Sequence, residues 1–272
     1  MAGLKKREIW LVGIVCLMAA CNFWLLVRPL IINNAIAQDP VKKGKRFLYI
    51  GDSITDGNWG GGGAKPSSER NHWDQNHIFG SGYMYLCAAY FMGTFPEQGH
   101  VFYNRGISGN TLDDLEKRWK DDALEINPDI LSVLVGTNDI TRYLSDGTDK
   151  DFDLAGWDMK YRKLLDLSIE KNPNLKIVIC TPFAYETENP NKKGPWNLRH
   201  KLLGEFSKII KKIALDYNTI LVPFDKLYDD LSVGYPDVPA TYWLWDGIHP
   251  TAAAHKRMAD MWIEKTAGLF RK

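Results

Sequence analysis

Apolar residues along the chain fall into short unbroken runs separated by longer stretches that repeat at helical spacing. The mostly apolar runs at 47–50, 101–103, 130–135, 175–180 and 219–222 have the length of strands buried on both faces. Residues 82–91 are apolar nearly throughout and predict a buried helix. The stretch 112–124 is amphipathic, with Thr111 placed to cap it. Further helices are predicted over 154–170, 198–215 and 252–269, the last capped by Thr251. Strands alternating with helices imply parallel pairing through right-handed crossovers, hence an α/β sandwich of three layers. With no internal repeat or interior linker, residues 38–272 read as one domain.

Two segments interrupt this alternation: 57–80 (GNWGGGGAKPSSERNHWDQNHIFG) and 181–195 (TPFAYETENPNKKGP). Loops this long in a compact domain are functional or mobile. Both should leave the C-terminal ends of strands, where open α/β sheets place ligand sites. The run Gly60–Gly63 reads as a hinge, or as backbone that can approach a ligand closely.

The first 37 residues follow a different pattern. MAGLKKRE is a positive start, residues 9–27 carry no charge, and Ala35-Ile36-Ala37 makes a small-x-small site. Together they describe a signal peptide cleaved after Ala37. The apolar stretch is also long enough for an uncleaved N-terminal anchor, which would attach the body to a membrane. Met18-Ala19-Ala20-Cys21 loosely resembles a lipoprotein signal with Cys21 lipidated. All three readings export the body, to a periplasmic, cell-surface or extracellular location.

Composition narrows the function classes. At 272 residues, 45% hydrophobic and 25% charged, the chain is globular and long enough to bury a core without disulfides or a structural metal. A net charge of +1 offers no basic excess for nucleic acid. Residues 1–37 carry a net +3, which leaves a mildly acidic body at −2. Ten Trp, twelve Tyr and eleven Phe supply either a large core or flat faces for a sugar. Cys87 and Cys180 lie in apolar stretches, as one disulfide or two buried thiols. No Cys/His cluster has zinc spacing.

Four motifs carry chemistry. Gly51-Asp52-Ser53-Ile54-Thr55 follows the first predicted strand, where a serine projects from the sheet edge. Asp246-Gly247-Ile248-His249-Pro250 offers an imidazole base with a carboxylate three residues away to orient it. Asn104-Arg105-Gly106-Ile107-Ser108-Gly109 follows the second strand, and Gly136-Thr137-Asn138-Asp139 follows the third. They could donate to a developing oxyanion through Gly106 N–H and the Asn138 amide. Each motif alone also reads as an ordinary turn or helix cap. An α/β sheet would gather all four in one crevice, with a nucleophile, a base, an orienter and oxyanion donors.

Together and in this order, the blocks GDSIT, NRGISG, GTND and DGIHP resemble the SGNH/GDSL hydrolases, from about residue 47 to the C-terminus. The resemblance implies a flavodoxin-like three-layer α/β/α sandwich with a five-stranded parallel sheet. It implies Ser53 as nucleophile, His249 as base and Asp246 as its orienting partner. Ser53 N–H, Gly106 N–H and the Asn138 side chain would form the oxyanion hole, with Asp52 and Asp139 positioning the loops. No metal or organic cofactor is implied. The Gly-x-Ser-x-Gly elbow of the α/β-hydrolases is absent.

The ester is read from the aromatic and polar residues near these motifs. Arg70, His72 and Trp73 form a hydrogen-bonding and stacking set behind the nucleophile, and Tyr242, Trp243 and Trp245 crowd the chain beside Asp246. Rings with polar neighbours suit a pyranose, whereas a long acyl chain wants an aliphatic groove. Trp73 and Trp245 read equally as core or lid residues. Tyr185, Trp196, Arg199 and the pair Lys192-Lys193 read as a solvated loop. The leading expectation is an exported O-acetylesterase acting on a glycan or small-molecule ester. The alternatives are a lysophospholipase or thioesterase acting on fatty acyl groups, a non-catalytic sugar-binding protein, and, remotely, a metal phosphoesterase.

Overall fold

A computed structural model of the chain describes residues 44–57, 79–147, 151–187 and 195–270. Strand β1 (Arg46–Gly51) runs straight into a one-turn helix, α1 (Ser53–Asp56). Helix α2 (Tyr83–Thr94) and a 3₁₀ turn at Pro96–Gln98 lead to β2 (Val101–Gly106). Helix α3 (Leu112–Trp119) widens into a π turn at Lys120–Leu124 before β3 (Ile130–Leu134). Next come α4 (Thr137–Ser145), α5 (Leu154–Lys171), β4 (Lys176–Cys180), α6 (Trp196–Asp216) and β5 (Ile220–Val222). The chain closes with α7 (Phe224–Gly234), α8 (Ala240–Trp243), α9 (Ala252–Thr266) and a 3₁₀ turn at Ala267–Leu269.

All five strands are parallel, in the order β2-β1-β3-β4-β5. This is the expected five-stranded α/β/α sandwich, and it belongs to one compact unit, Lys43–Lys272. Its strands lack in-out alternation because both faces are covered. Phe47, Leu48, Tyr49 and Ile50 of β1 are all buried, as is every residue of β3. Helix α2 packs against α9, and α3 and α6 each pack against α5. Two tryptophans reach across the core to serine hydroxyls: Trp262 Nε1 donates to Ser132 Oγ and Trp119 Nε1 to Ser168 Oγ, each at 3.0 Å. Those bonds satisfy indole N–H groups that burial would otherwise strand.

The strand order reverses beside β1, since the chain moves outward to β2 and then crosses back to β3. Such a switch point opens a crevice at the C-terminal ends of β1 and its neighbours. Cys87 and Cys180 are buried free thiols, which settles the choice left open for them. Burial pushes the Cys180 thiol up to about 12 and Cys87 higher, so both stay protonated. Among the described residues no helix is long and apolar enough to cross a membrane. The leader and its Cys21 lie outside the described residues.

Candidate active site

Ser53 owes its position to Asp52. The Asp52 backbone is extended, and its Oδ1 accepts the Ile54 N–H at 3.0 Å, capping α1. Ser53 is therefore the first helical residue after β1, and its own N–H is left over by the helix. The short turn sets the Ser53 hydroxyl above the sheet edge.

The loop after α8 brings His249 to it. Asp246 Oδ1 accepts N–H bonds from Ile248 at 3.0 Å and His249 at 2.8 Å. Gly247 closes this turn at φ 86°, which an L side chain resists, and its carbonyl accepts the Tyr185 N–H at 2.8 Å. Asp246 Oδ2 lies 2.8 Å from His249 Nδ1, and His249 Nε2 lies 2.9 Å from Ser53 Oγ. Burial opposes ionisation of Asp246, which is only 3% exposed, but the hydrogen bonds from the His249 ring and backbone outweigh it. They hold the carboxyl well below the ordinary carboxylate range. An ionised Asp246 only accepts, so Nδ1 carries the ring proton and Nε2 is free to accept from Ser53 Oγ–H.

Asn138 enters from the third strand end. It is the second residue of α4, and its Nδ2 donates to Asp52 Oδ2 at 3.3 Å and Asn110 O at 3.2 Å. The next residue anchors it. Asp139 Oδ1 accepts from Leu112 N–H at 3.1 Å and Trp157 Nε1–H at 2.9 Å, tying α4 to α3 and α5. Burial pushes Asp52 up to about 7 and Asp139 up to about 6; the N–H bonds that each accepts pull back only in part.

Gly106 does not fit the role expected of it. Its N–H is given to Asn104 Oδ1 at 2.9 Å, so it is spent inside the fold. A Cβ at 106 would lie 2.1 Å from Asp56 N, so this glycine is required by close packing against α1. Three residues on, Gly109 has φ 81° and nothing within 4 Å of where a Cβ would stand. Among the described residues its N–H has no partner. It sits between Ser108, which faces the Ser53 cavity, and Asn110, which receives Asn138.

A cavity of about 540 Å³ opens over Ser53 and His249, lined also by Ser81, Ser108, Trp245 and His255. The Trp245 ring lies 5.6 Å from the His249 ring at 20° and is 51% exposed, so it is a rim residue, not core. Arg70, His72 and Trp73 lie outside the described residues, as do Gly60–Gly63 and the pair Lys192-Lys193. Arg199 is buried in α6, where it donates to Thr141 Oγ1 at 2.9 Å, and is not part of a solvated loop. Among the described residues no group of three His, Cys, Asp or Glu is arranged to hold a metal ion.

The sequence reasoning missed Gly109, Asn110, Arg118 and His255. Gly109 was in plain sight, as the second glycine of its motif. The other three are placed by contacts distant in sequence. Arg118 donates to Asn110 Oδ1 at 2.8 Å, Arg105 O at 2.9 Å and Gly51 O at 3.1 Å, so it ties two strand ends together.

The chain is similar to known proteins. Residues 49–257, which span all four motif blocks, match the model of the GDSL-like Lipase/Acylhydrolase family. An acetylxylan esterase of Geobacillus stearothermophilus is 30% identical over 229 residues, 83% of this chain and 95% of that protein. A crystal structure of an acetylxylan esterase from that organism, Axe2, superposes with a TM-score of 0.66 at 27% identity, covering 83% of this chain and 95% of the other. A protein of Parabacteroides merdae ATCC 43184, described as GDSL-like lipase, superposes with a TM-score of 0.70 at 34% identity, covering 84% and 98%. The chain is a carboxylic ester hydrolase, and it belongs to the GDSL-like lipase/acylhydrolase family.

Proposed function

We propose that the chain is an exported serine esterase that removes O-acetyl groups from carbohydrate through an acyl-enzyme. The observation that carries this reading is the hydrogen-bonded line from Asp246 to His249 to Ser53, at 2.8 and 2.9 Å. His249 Nε2 takes the Ser53 proton as Oγ attacks the ester carbonyl and the C–Oγ bond forms. The tetrahedral oxyanion is met by Ser53 N–H, Gly109 N–H and Asn138 Nδ2, which takes the place of the earlier assignment to Gly106. Asn138 is held by two long hydrogen bonds, so turning one N–H towards the oxyanion costs little. His249 then gives its proton to the departing sugar oxygen as the C–O bond breaks, so the sugar leaves with a free hydroxyl. Water repeats the steps in reverse and releases acetate.

Two observations favour a small acyl group on a sugar. The cavity lining carries the hydroxyls of Ser53, Ser81 and Ser108 and the ring of Trp245, and its aliphatic residues, Ile54, Pro250 and Ala252, are separate side chains rather than a long acyl groove. The acetylxylan esterase relative covers most of the chain. Export rests on the positive start, apolar stretch and small-x-small site of the first 37 residues.

The test is hydrolysis of p-nitrophenyl acetate, butyrate, octanoate and palmitate, with Ser53→Ala alongside. A steep fall beyond acetate, with turnover lost in Ser53→Ala, is the expected result. A rise towards octanoate or palmitate would replace it with the fatty-acyl reading.

A further inference from the structure

His255, six residues after His249, reaches the same cavity from the first turn of α9. Its Nδ1 accepts the backbone N–H of Tyr83 at 3.1 Å. That N–H is the first of α2, and the cap residue there, Gly82, has no side chain to satisfy it. A ring nitrogen that accepts an N–H bears no proton, so in His255 the proton sits on Nε2. Burial, reinforced by nearby His249, lowers the His255 pKa to about 4, and an imidazolium would also lie against the positive end of α2. The ring is therefore a neutral donor of fixed tautomer. It is half-buried on the cavity wall, and among the described residues nothing accepts from Nε2–H.

The hydroxyls beside it are set the other way. Ser81 Oγ donates to Gly57 O at 3.0 Å, and Ser108 Oγ donates to Asp56 Oδ2 at 3.0 Å. With their protons turned inward, both oxygens offer lone pairs to the cavity. The wall thus presents one fixed donor and two acceptors, beside the exposed Trp245. An acetyl methyl or an aliphatic chain would leave these groups unpaired, whereas a sugar supplies both donors and acceptors to match them.

We propose that His255 Nε2–H binds a hydroxyl or ring oxygen of the sugar that carries the acetyl group, and that it sets the preference for carbohydrate esters over simple aryl esters. This rests on the reading of the chain as a carbohydrate acetylesterase. His255 is a specificity residue of the leaving-alcohol side. The proton it holds takes no part in the acyl transfer.

Two variants separate this role from the cap on α2. In His255→Asn the side-chain carbonyl can still accept from Tyr83 N–H, but no donor stands at the Nε2 position. In His255→Gln the amide NH₂ reaches the Nε2 position and the cap is lost. The readout is the ratio of kcat/KM for acetylated xylo-oligosaccharides to kcat/KM for p-nitrophenyl acetate, with Tm measured in parallel. His255→Asn should lower the ratio about 10- to 100-fold, chiefly through KM, at a Tm close to that of the parent. His255→Gln should lower Tm and keep the ratio within about threefold of the parent. An unchanged ratio in His255→Asn overturns the proposal, whether or not activity on both substrates falls together. A parent enzyme that cleaves p-nitrophenyl acetate but no acetylated saccharide overturns the carbohydrate reading and this inference with it. A third readout leaves position 255 intact. Adding acetylated xylo-oligosaccharide to Ser53→Ala should shift the ¹⁵N resonance of His255 Nε2 more than that of Nδ1, and equal or absent shifts would contradict the proposal.

Discussion

Two short segments close the site, and they are held in opposite ways. The loop 244–250 is built largely from itself: Asp246 accepts two N–H bonds from the next three residues, Trp245 N–H reaches His249 O, and Leu244 bridges Pro250. The segment 104–110 is built from elsewhere. Asn104 Nδ2 donates to the carbonyls of Thr55, Asp56 and Phe79, and Arg118 reaches in from α3. The buried pair of Arg105 and Asp122, 3.3 Å apart, completes it. The self-contained loop fixes a charge and a tautomer. The dependent segment fixes where an oxyanion can be received. Substitutions in the first should therefore damage chemistry with the fold intact, and substitutions in the second should damage the fold as well.

The largest effects should come from the self-contained half and its target. Ser53→Ala or His249→Ala should lower kcat by on the order of 10⁵–10⁶ with little change in Tm, because neither side chain holds the core. Asp246→Asn should cost about 10⁴, because an amide cannot fix the same His249 tautomer. A fall in Tm matching the loss of activity in either case would break the contrast between the segments.

Asn138→Ala should lower kcat by about 10²–10³ with a smaller change in KM, as an oxyanion donor lost from the transition state. The glycine pair sharpens the point. Gly106→Ala forces a Cβ to 2.1 Å from Asp56 N and should destabilise by several kcal/mol or abolish folding, seen as lost soluble yield or Tm. Gly109→Ala meets no neighbour and only a strained φ, so it should cost about 1 kcal/mol, read by urea unfolding. Equal costs at the two positions would contradict the assignment of their amides.

The last expected effect concerns pH and leaves activity aside. Asp139 is pushed up from 3.8 to about 6, so the folded state holds its proton more tightly than the unfolded chain. Its contribution is most favourable below pH 4 and is lost as pH rises through about 6, a change on the order of 2–3 kcal/mol. Asp246, lowered from 3.8, works in the opposite sense: it stabilises above that value and loses this as pH falls. Asp139→Asn keeps an acceptor for Leu112 N–H and Trp157 Nε1–H and should flatten the first slope. Urea unfolding from pH 4 to 8 measures it, and an unchanged slope would contradict the assignment.

This contrast also explains what could be read from the sequence. An apolar run marks each of the five strands, though β2 continues past its run through Asn104, Arg105 and Gly106; strands covered on both faces need no alternation to be recognised. Asp246 and His249 are three residues apart and meet across one turn, so their pairing is a local fact. Gly106 misled because a glycine after a strand fits both a free amide and a crowded one; the side-chain conformation of its near neighbour Asn104 and the packing of Asp56, far off in sequence, decide between them. His255 was invisible for the same reason: its partner, Tyr83, is 172 residues away. The π turn at Lys120–Leu124 and the helix at Thr137–Ser145 went unforeseen as well, the first inside a stretch read as continuous helix and the second behind a motif read for its chemistry.

The central claim is that Ser53 carries the acyl group. Acid-quenching the enzyme during turnover of p-nitrophenyl acetate, followed by peptide mass spectrometry, tests it directly. The account predicts the added mass of one acetyl group on the peptide containing Ser53, absent after Ser53→Ala. Acetyl on another residue, or full turnover by Ser53→Ala, would contradict it.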